Sequence, residues 1–343
     1  MQKQPKVSVL IPAYNAESTI ESALTSIQKQ SFDDYEVVVV NDGSTDGTES
    51  ILDRISGQDA RVRVINTQRS GIICALNTGI EECAGELIAR MDADDISHRR
   101  RLEMQVELMD RQSEISVCSC FVRMFPRTNL PGGMARYEQW LNSLVDSEQI
   151  GRDMFVESPI PHPSAVMRRR ELIDIGGYME SGWAEDYDLW LRYHAAGKRF
   201  IKVERDLLFW RHCDNRLTFT DGRYSVENFL RAKAHYVAQM LAHDANAGQR
   251  KILMWGVGQA SRRLSKHLIR NGVPLAAFIS INPNKRGQVL RGRPIVGPGY
   301  LSDHGAAETY IIVTVSSHHA RNLIREQLSR LGFAETRDYI CAA

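Results

Sequence analysis

Three aspartates within four positions form a concentrated group of potential metal ligands. Asp92, Asp94 and Asp95 follow the apolar run 86–91, which predicts a buried strand. Carboxylates this close repel one another unless a cation neutralises them. Their hard oxygen atoms suit Mg²⁺ or Mn²⁺, ions that commonly hold a substrate phosphate. A solvated acidic turn is the alternative, because Asp is a common turn residue.

A fourth aspartate could bind a nucleoside. Asp42 comes after four consecutive valines, so it stands at the end of a predicted buried strand. Its carboxylate could accept hydrogen bonds from a pyrimidine imide or from ribose hydroxyls, although an Asx turn would also explain it. Pro12, Ala13 and Tyr14 end the first predicted strand and could place an aromatic ring and backbone amides against a base; ordinary loop packing is the alternative.

Acidic and aromatic residues alternate at the start of a predicted helix. Glu185, Asp186 and Asp188 stand beside Trp183 and Trp190. Acids in a first helical turn are favoured by the helix dipole, so capping could explain them. Flanking aromatic rings could also exclude water from Asp186 and raise its pKa, which suits a general base.

Two histidines are further candidates. His162 lies between two prolines, which predicts a rigid surface loop, and such a lone histidine is more often structural than a ligand. His212 follows the apolar strand 207–210 and could complete a metal site or contact a diphosphate.

Strands and helices alternate along the N-terminal part. This alternation predicts a parallel sheet with helical crossovers, in which ligands collect beyond the carboxyl ends of the strands. Asp42 and Asp92 should therefore share one site. The predicted strands are Val7–Ile11, Glu36–Val40, Val62–Ile65 and Leu87–Met91. The predicted helices between and after them are Thr19–Gln30, one ending at Ile55, Ile72–Cys83, Asp186–Ala196 and 225–242.

The alternation restarts in a smaller C-terminal unit. We predict domains at 1–243 and 250–343, joined by the polar linker 244–249. Gly256 and Gly258 follow a predicted strand like the first glycines of a dinucleotide fingerprint, but the acid expected after the next strand is missing, so NAD binding is not expected. A structural role remains open, as does a sugar-nucleotide or phosphate site near the basic residues Arg262, Lys285 and Arg286.

Length and charge also predict two different parts. The chain has 343 residues, more than one ordinary core, and its net charge is −8 over residues 1–248 and +9 over residues 249–343. The basic part could face an anionic ligand, an anionic membrane or the acidic part, or it could be solvated.

The six cysteines show neither zinc spacing nor a disulfide framework. With no transmembrane run, we expect a cytoplasmic protein with no nucleic-acid partner, and peripheral membrane association remains open.

The motifs in their order resemble the inverting nucleotide-sugar glycosyltransferases of family 2, which have the GT-A fold. The resemblance covers about residues 5–235 and is carried by Ile11–Glu17, Val39–Gly47, Ala75–Ile80, Gly85–Asp95, Pro161–Ser164, Gly176–Tyr178 and Glu185–Arg192. It implies an α/β GT-A domain, and the C-terminal unit looks like a small Rossmann-like domain found attached to sugar-modifying enzymes.

The resemblance also implies roles for single residues. Asp42 would contact the base, Asp92 the ribose and the metal shell, and Asp94 the cation, Mn²⁺ or Mg²⁺, that bridges the donor diphosphate. Asp186 would take the proton from the acceptor hydroxyl. The other expected donor contacts are Pro12, Ala13, Tyr14 and Glu17, and the residues expected near the acceptor are Asp95, His162, Trp183 and Glu185.

One residue departs from the family pattern. The family often shows Arg-x-His after the strand that here ends near Trp210, whereas this chain has Arg211 followed directly by His212, one position earlier than the pattern for a metal-ligand histidine. The predicted function is metal-dependent transfer from a nucleotide sugar, with a UDP-sugar favoured, to a saccharide or lipid-linked acceptor in surface polysaccharide biosynthesis. A non-catalytic nucleotide-sugar sensor or scaffold and a nucleotidyltransferase are the alternatives. The latter would need a glycine-rich basic phosphate loop after the first strand, which residues 12–17 do not provide.

Overall fold

The chain forms two compact units. In the computed structural model the described residues are 4–128, 130–213, 220–244 and 250–343. The first unit comprises Met1–Ile150, Pro159–Ser181 and Glu185–Arg216, and the second comprises Gly151–Ser158, Gly182–Ala184 and Leu217–Ala343. The predicted boundary stays a prediction, since residues 245–249 of the proposed linker lie outside the described part.

The first unit is built on an eight-stranded mixed sheet in the order β3-β2-β1-β4-β7-β6-β8-β5. Its strands are β1 Val7–Ala13, β2 Tyr35–Asp42, β3 Val62–Thr67, β4 Leu87–Arg90, β5 Ile96–Ser97, β6 Ile115–Phe125, β7 Val166–Arg168 and β8 Arg199–Arg211. Its helices are α1 Ile20–Gln28, α2 Thr48–Ser56, α3 Ile72–Glu82, α4 Arg101–Arg111, α5 Gly132–Ser143, α6 Ser147–Asp153, α7 Arg169–Asp174 and α8 Glu185–Ala195, of which α6 extends into the second unit.

The four strands predicted to alternate with helices, β1 to β4, lie side by side in this sheet and are parallel to one another. β1 pairs in parallel with β2 and β4, and β2 pairs in parallel with β3. Every residue of β1 is buried, which is why it reads as a continuous apolar run and does not alternate. The predicted α/β fold is confirmed, and Cys118 and Cys120 of β6 lie in the core.

The second unit contains a six-stranded sheet in the order β11-β12-β10-β9-β13-β14, parallel except for the β11–β12 hairpin. Its strands are β9 Lys251–Trp255, β10 Leu275–Ile279, β11 Val289–Leu290, β12 Arg293–Val296, β13 Thr309–Val313 and β14 Tyr339–Cys341. Its described helices of four or more residues within 217–343 are α9 Val226–His243, α10 Gln259–Arg270, α11 Tyr300–Asp303 and α12 His318–Arg330.

Candidate functional site

The three clustered aspartates lie together at the end of β4. Asp92, Asp94 and Asp95 each offer a carboxylate oxygen, and these oxygens lie within 4.8 Å of one another. Asp95 is completely buried, whereas Asp92 and Asp94 are partly exposed. This all-oxygen set fits a hard divalent cation such as Mg²⁺ or Mn²⁺. Asp95, which the family resemblance placed near the acceptor, belongs to the same cluster.

A buried arginine connects this cluster with the rest of the site. Arg90, at the end of β4, is almost completely buried and forms an ion pair with Asp92. Its carbonyl oxygen accepts a hydrogen bond of 2.8 Å from Nη2 of the completely buried Arg101. A buried cation next to an aspartate fixes the carboxylate's position and offsets part of the repulsion within the cluster. The sequence reasoning missed Arg90, although an arginine inside an otherwise apolar strand was a visible signal.

The end of β8 is tied to the aspartate turn. The backbone N–H of Arg211 donates to Asp95 Oδ1 at 2.7 Å, and its Nε donates to the carbonyl oxygen of Asp94 at 2.7 Å. His212 follows directly, and its backbone N–H donates to the Phe125 carbonyl oxygen at 2.8 Å. These bonds fix His212 at the end of β8, one residue beyond the contacts with the aspartate turn. Its role as a metal ligand stays a prediction.

Asp42 is held by the turn that follows β3. Its Oδ1 accepts hydrogen bonds from the backbone N–H of Ser70 at 2.7 Å and from the Ser70 hydroxyl at 3.0 Å, and its Oδ2 accepts one from the Gly71 N–H at 2.9 Å. Arg69 also forms an ion pair with the Asp42 carboxylate. The Arg69 guanidinium also lies 3.6 Å from the centre of the exposed Tyr14 ring. The Arg69 guanidinium thus stacks on Tyr14, which was predicted to stack on a base. It also pairs with Asp42, which was predicted to recognise that base.

A glycine makes this arrangement possible. Gly43 has φ +65°, and a Cβ built on it would lie 2.6 Å from the Arg69 backbone nitrogen. Only glycine permits both this conformation and this close approach. The sequence reasoning missed Arg69, Ser70 and Gly71 because they come from a different loop.

The remaining predicted donor residues lie around the same edge of the sheet. Pro12 and Ala13 are the last residues of β1 and pair with Val40 and Asn41 of β2. Glu17 Oε2 accepts a hydrogen bond of 3.0 Å from the Gly47 N–H, so its carboxylate joins the loop after β1 to the loop after β2. Direct donor contacts by these residues stay predictions.

Asp186 stands in the first turn of α8 and is half-buried. Burial, and to a smaller extent the neighbouring Glu185 carboxylate, raises the pKa of Asp186 to about 7, and the positive charge of Arg90 acts in the opposite direction. Arg90 therefore lies within electrostatic reach of Asp186 while it pairs with Asp92. This shared partner brings the predicted base and the acidic cluster to one region of the first unit. The buried Glu185 precedes Asp186 in the first turn of α8.

His162 is buried, which corrects the expectation of a surface loop. Its Nε2 lies 2.6 Å from the Tyr178 hydroxyl, and the Trp190 ring packs edge-on against it with ring centroids 6.1 Å apart. Burial, assisted by the charge of Arg90, lowers the pKa of His162 well below its usual range, so the imidazole is neutral. Burial also raises the pKa of Tyr178, whose phenol stays protonated beside Asp186 and Glu185.

Asn77 explains why the Gly176–Tyr178 motif belongs to the site. Its side-chain amide donates to the Tyr178 carbonyl oxygen at 2.8 Å and accepts from the Tyr178 N–H at 2.9 Å. Arg192, paired with Asp188, donates to the Gly177 carbonyl oxygen at 2.7 Å. These contacts from α3 and α8 hold Tyr178 in position against His162.

Trp183, predicted near the acceptor, belongs to the second unit. There the centre of its ring lies 5.6 Å from that of the His235 ring and 5.8 Å from the Arg231 guanidinium of α9. An acceptor contact by Trp183 stays a prediction.

Comparison with known proteins shows which family the chain belongs to. Residues 8–176 match the family model described as glycosyl transferase family 2. An uncharacterized glycosyltransferase of Haemophilus influenzae is 33% identical over 199 residues, which cover 55% of this chain and 60% of the relative. The amylovoran biosynthesis glycosyltransferase AmsE of Erwinia amylovora is 32% identical over 193 residues, covering 55% of this chain and 70% of AmsE. This chain belongs to glycosyltransferase family 2.

Another relative of this family member has a name that specifies its substrates. It is the Escherichia coli UDP-Gal:alpha-D-GlcNAc-diphosphoundecaprenol beta-1,3-galactosyltransferase. The two proteins are 26% identical over 237 residues, which cover 68% of this chain and 83% of the relative. The similarity therefore extends over most of the E. coli enzyme.

Solved structures share the fold of this family member. Staphylococcus aureus TarS 1–349, in complex with UDP-GlcNAc, has a TM-score of 0.58 and 21% identity, covering 77% of this chain and 72% of that one. The mannosyltransferase PcManGT of Pyrobaculum calidifontis, in complex with GDP-Man and Mn²⁺, has a TM-score of 0.51 and 22% identity, covering 79% and 70% of the two chains. The C-terminal residues 248–338 match a separate model described as C2185-like, N-terminal. The predicted glycosyltransferase with a GT-A fold is confirmed at the level of the family.

Proposed function

We propose that this protein is an inverting, divalent-cation-dependent glycosyltransferase. It transfers a sugar from a nucleotide-sugar donor, with a UDP-sugar favoured, to a saccharide or lipid-linked acceptor in surface polysaccharide biosynthesis. The observation that carries the proposal is the oxygen cluster of Asp92, Asp94 and Asp95. Arg90 pairs with Asp92 of this cluster and lies within electrostatic range of Asp186, whose pKa is raised.

Each group has a chemical task in this reaction. The cluster would hold Mn²⁺ or Mg²⁺, which supplies positive charge for the leaving diphosphate. Asp186 removes the proton from the acceptor hydroxyl, whose oxygen bonds to the anomeric carbon as the bond to the diphosphate breaks. One base suffices for attack from the face opposite the leaving group, so the anomeric configuration inverts.

The comparisons support the choice of substrates. TarS and PcManGT were solved with UDP-GlcNAc and with GDP-Man and Mn²⁺, and the E. coli relative is named for a UDP-sugar donor and a diphosphoundecaprenol-linked acceptor. AmsE is named for the biosynthesis of amylovoran. A lipid-linked acceptor would place the protein at the cytoplasmic face of a membrane. Within the described residues, no helix is both long and apolar enough to cross a bilayer.

Turnover tests the proposal directly. The purified protein is incubated with UDP-, GDP- and dTDP-sugars, with Mn²⁺, Mg²⁺ or a chelator, and with saccharide and polyprenyl-diphosphate-sugar acceptors. We expect transfer from one class of donor, dependent on the cation. Binding of donors without any transfer to these acceptors would favour the non-catalytic sensor, and transfer that is unchanged by chelation would contradict the metal requirement.

A further inference from the structure

The second unit contains a long stretch without acidic residues. Between residues 245 and 302 the sequence has ten lysines and arginines and no aspartate or glutamate. A single-sign stretch of this length inside a folded unit produces a positive surface wherever its side chains are exposed.

Helix α10 gathers three of these cations on one side. Arg262, Lys266 and Arg270 are spaced by four residues, so they lie along the same face of the helix. Arg262 and Arg270 are exposed and Lys266 is partly exposed. Ile269 lies at the Arg262 edge of this face and is also exposed.

The neighbouring cations of α10 are neutralised. Nη2 of Arg263 lies 3.1 Å from the Glu227 carboxylate, and His267 Nε2 lies 2.7 Å from the same carboxylate. Glu227 thus neutralises cations on the side of α10 that faces α9. Among the described residues, no ion pair involves Arg262, Lys266 or Arg270.

A fourth exposed cation is held against α10. Arg291, at the turn between β11 and β12, donates from Nη2 to the Arg262 carbonyl oxygen at 2.7 Å and from Nε to the Ser265 hydroxyl at 3.1 Å. Val289 of the same hairpin is 68% exposed. We call Arg262, Lys266, Arg270 and Arg291 the basic face.

We infer that the basic face docks the protein onto an anionic lipid bilayer. Exposed cations with aliphatic side chains between them are the combination that binds the interface of anionic lipids. Binding to single-stranded nucleic acid would instead call for exposed aromatic rings, and α10 has no Phe, Tyr or Trp. The inference rests on the proposed function only in that a lipid-linked acceptor would give such docking a purpose.

Vesicle co-sedimentation of the full chain tests the inference. We expect binding to phosphatidylcholine vesicles that contain about 30 mol% phosphatidylglycerol, weakening as salt is added, and little binding to pure phosphatidylcholine. The triple variant Arg262→Gln/Lys266→Gln/Arg270→Gln should partition about a hundredfold less, since each cation near an anionic surface contributes about fivefold.

The matched control removes the same net charge elsewhere. Arg111→Gln/Arg170→Gln/Arg330→Gln changes side chains that are 71%, 87% and 79% exposed, and it should bind vesicles like the wild type. The inference is overturned if the basic-face variant binds as tightly as the wild type, if both variants lose binding equally, or if the protein binds duplex DNA but no anionic vesicles.

A second measurement separates this inference from the proposed function. Transfer to a water-soluble saccharide acceptor should be the same in the wild type and in the variant Lys266→Gln/Arg270→Gln, which leaves Arg262 in place. A protein that binds anionic vesicles through this face but transfers no sugar would contradict the proposed function and leave the docking inference standing.

Discussion

In each unit, parallel strands end at one edge of the sheet. The side chains that follow these strand ends differ in chemical type between the two units. In the first unit Asp42 ends β2 and the cluster from Asp92 to Asp95 follows β4. In the second unit Gly256 follows β9, Ser280 follows β10 and Thr314 follows β13. The same sheet geometry thus supports an acidic site in one unit and an edge of glycine and hydroxyl groups in the other, which shows that side chains, not topology, determine the chemistry.

The edge of the second unit is filled by its own side chains. The Thr314 hydroxyl donates to the Ser261 hydroxyl at 2.7 Å, and a Cβ built on Gly256 would lie 2.4 Å from that serine oxygen. Gly256 also has φ +133°, which other residues rarely adopt. Packing therefore accounts for this glycine without a bound dinucleotide.

The largest effect is expected when the proposed base is removed from the acidic edge of the first unit. Asp186→Asn should lower kcat by about 10²–10⁴-fold, because the acceptor hydroxyl loses its proton acceptor, while donor affinity stays nearly unchanged. Steady-state kinetics and calorimetric titration of the donor measure the two quantities. Asp174→Asn, which changes an exposed aspartate on α7, is the control and should leave both at wild-type values. Loss of donor affinity in Asp186→Asn would contradict the role given to this residue.

A smaller effect is expected from weakening the oxygen cluster. Asp94→Asn should raise the Mn²⁺ concentration needed for half-maximal activity by about 10–100-fold, since one anionic ligand becomes a neutral amide. Metal titrations of the transfer rate measure this shift. An unchanged metal requirement would show that the cluster is only an acidic turn.

In the second unit the expected effect is on stability. Gly256→Ala should lower the free energy of unfolding by about 1–3 kcal/mol, because residue 256 has a positive φ and the added Cβ would crowd the hydroxyls of Ser261 and Thr314. Gly258→Ala is the matched control, because nothing lies within 4 Å of its added Cβ. Its free energy of unfolding should stay within about 0.5 kcal/mol of the wild-type value. Thermal unfolding measures both, and NAD⁺ should not raise the melting temperature. Equal effects of the two substitutions, or stabilisation by NAD⁺, would indicate a ligand loop.

The smallest expected effect is a change with pH at the acidic edge. The raised pKa of about 7 means that Asp186 is protonated and inactive as a base at lower pH. The value of kcat/KM should therefore fall about tenfold per pH unit below this pKa and level off above it. Initial rates at low donor and acceptor concentrations, measured across this pH range, give the profile. A rate that falls as pH rises through 7 would contradict the assignment.

Local sequence patterns determined much of this protein. Apolar runs such as 36–40 and 87–91 predicted the parallel strands, and the ends of these two runs placed Asp42 and Asp92 at the same edge of the sheet. The motif order was sufficient to predict the family. These features are local in the chain, because strand formation and strand ends depend on residues only a few positions apart.

The tertiary structure alone decided the partners of those residues. Arg69 reaches Asp42 across 27 residues, and Asn77 holds Tyr178 across 101 residues. The prediction of a surface position for His162 was wrong because Tyr178 and Trp190, distant in sequence, bury its ring. Burial, ion pairs and shifted pKa values arise when separate segments pack together, and no local pattern records that packing.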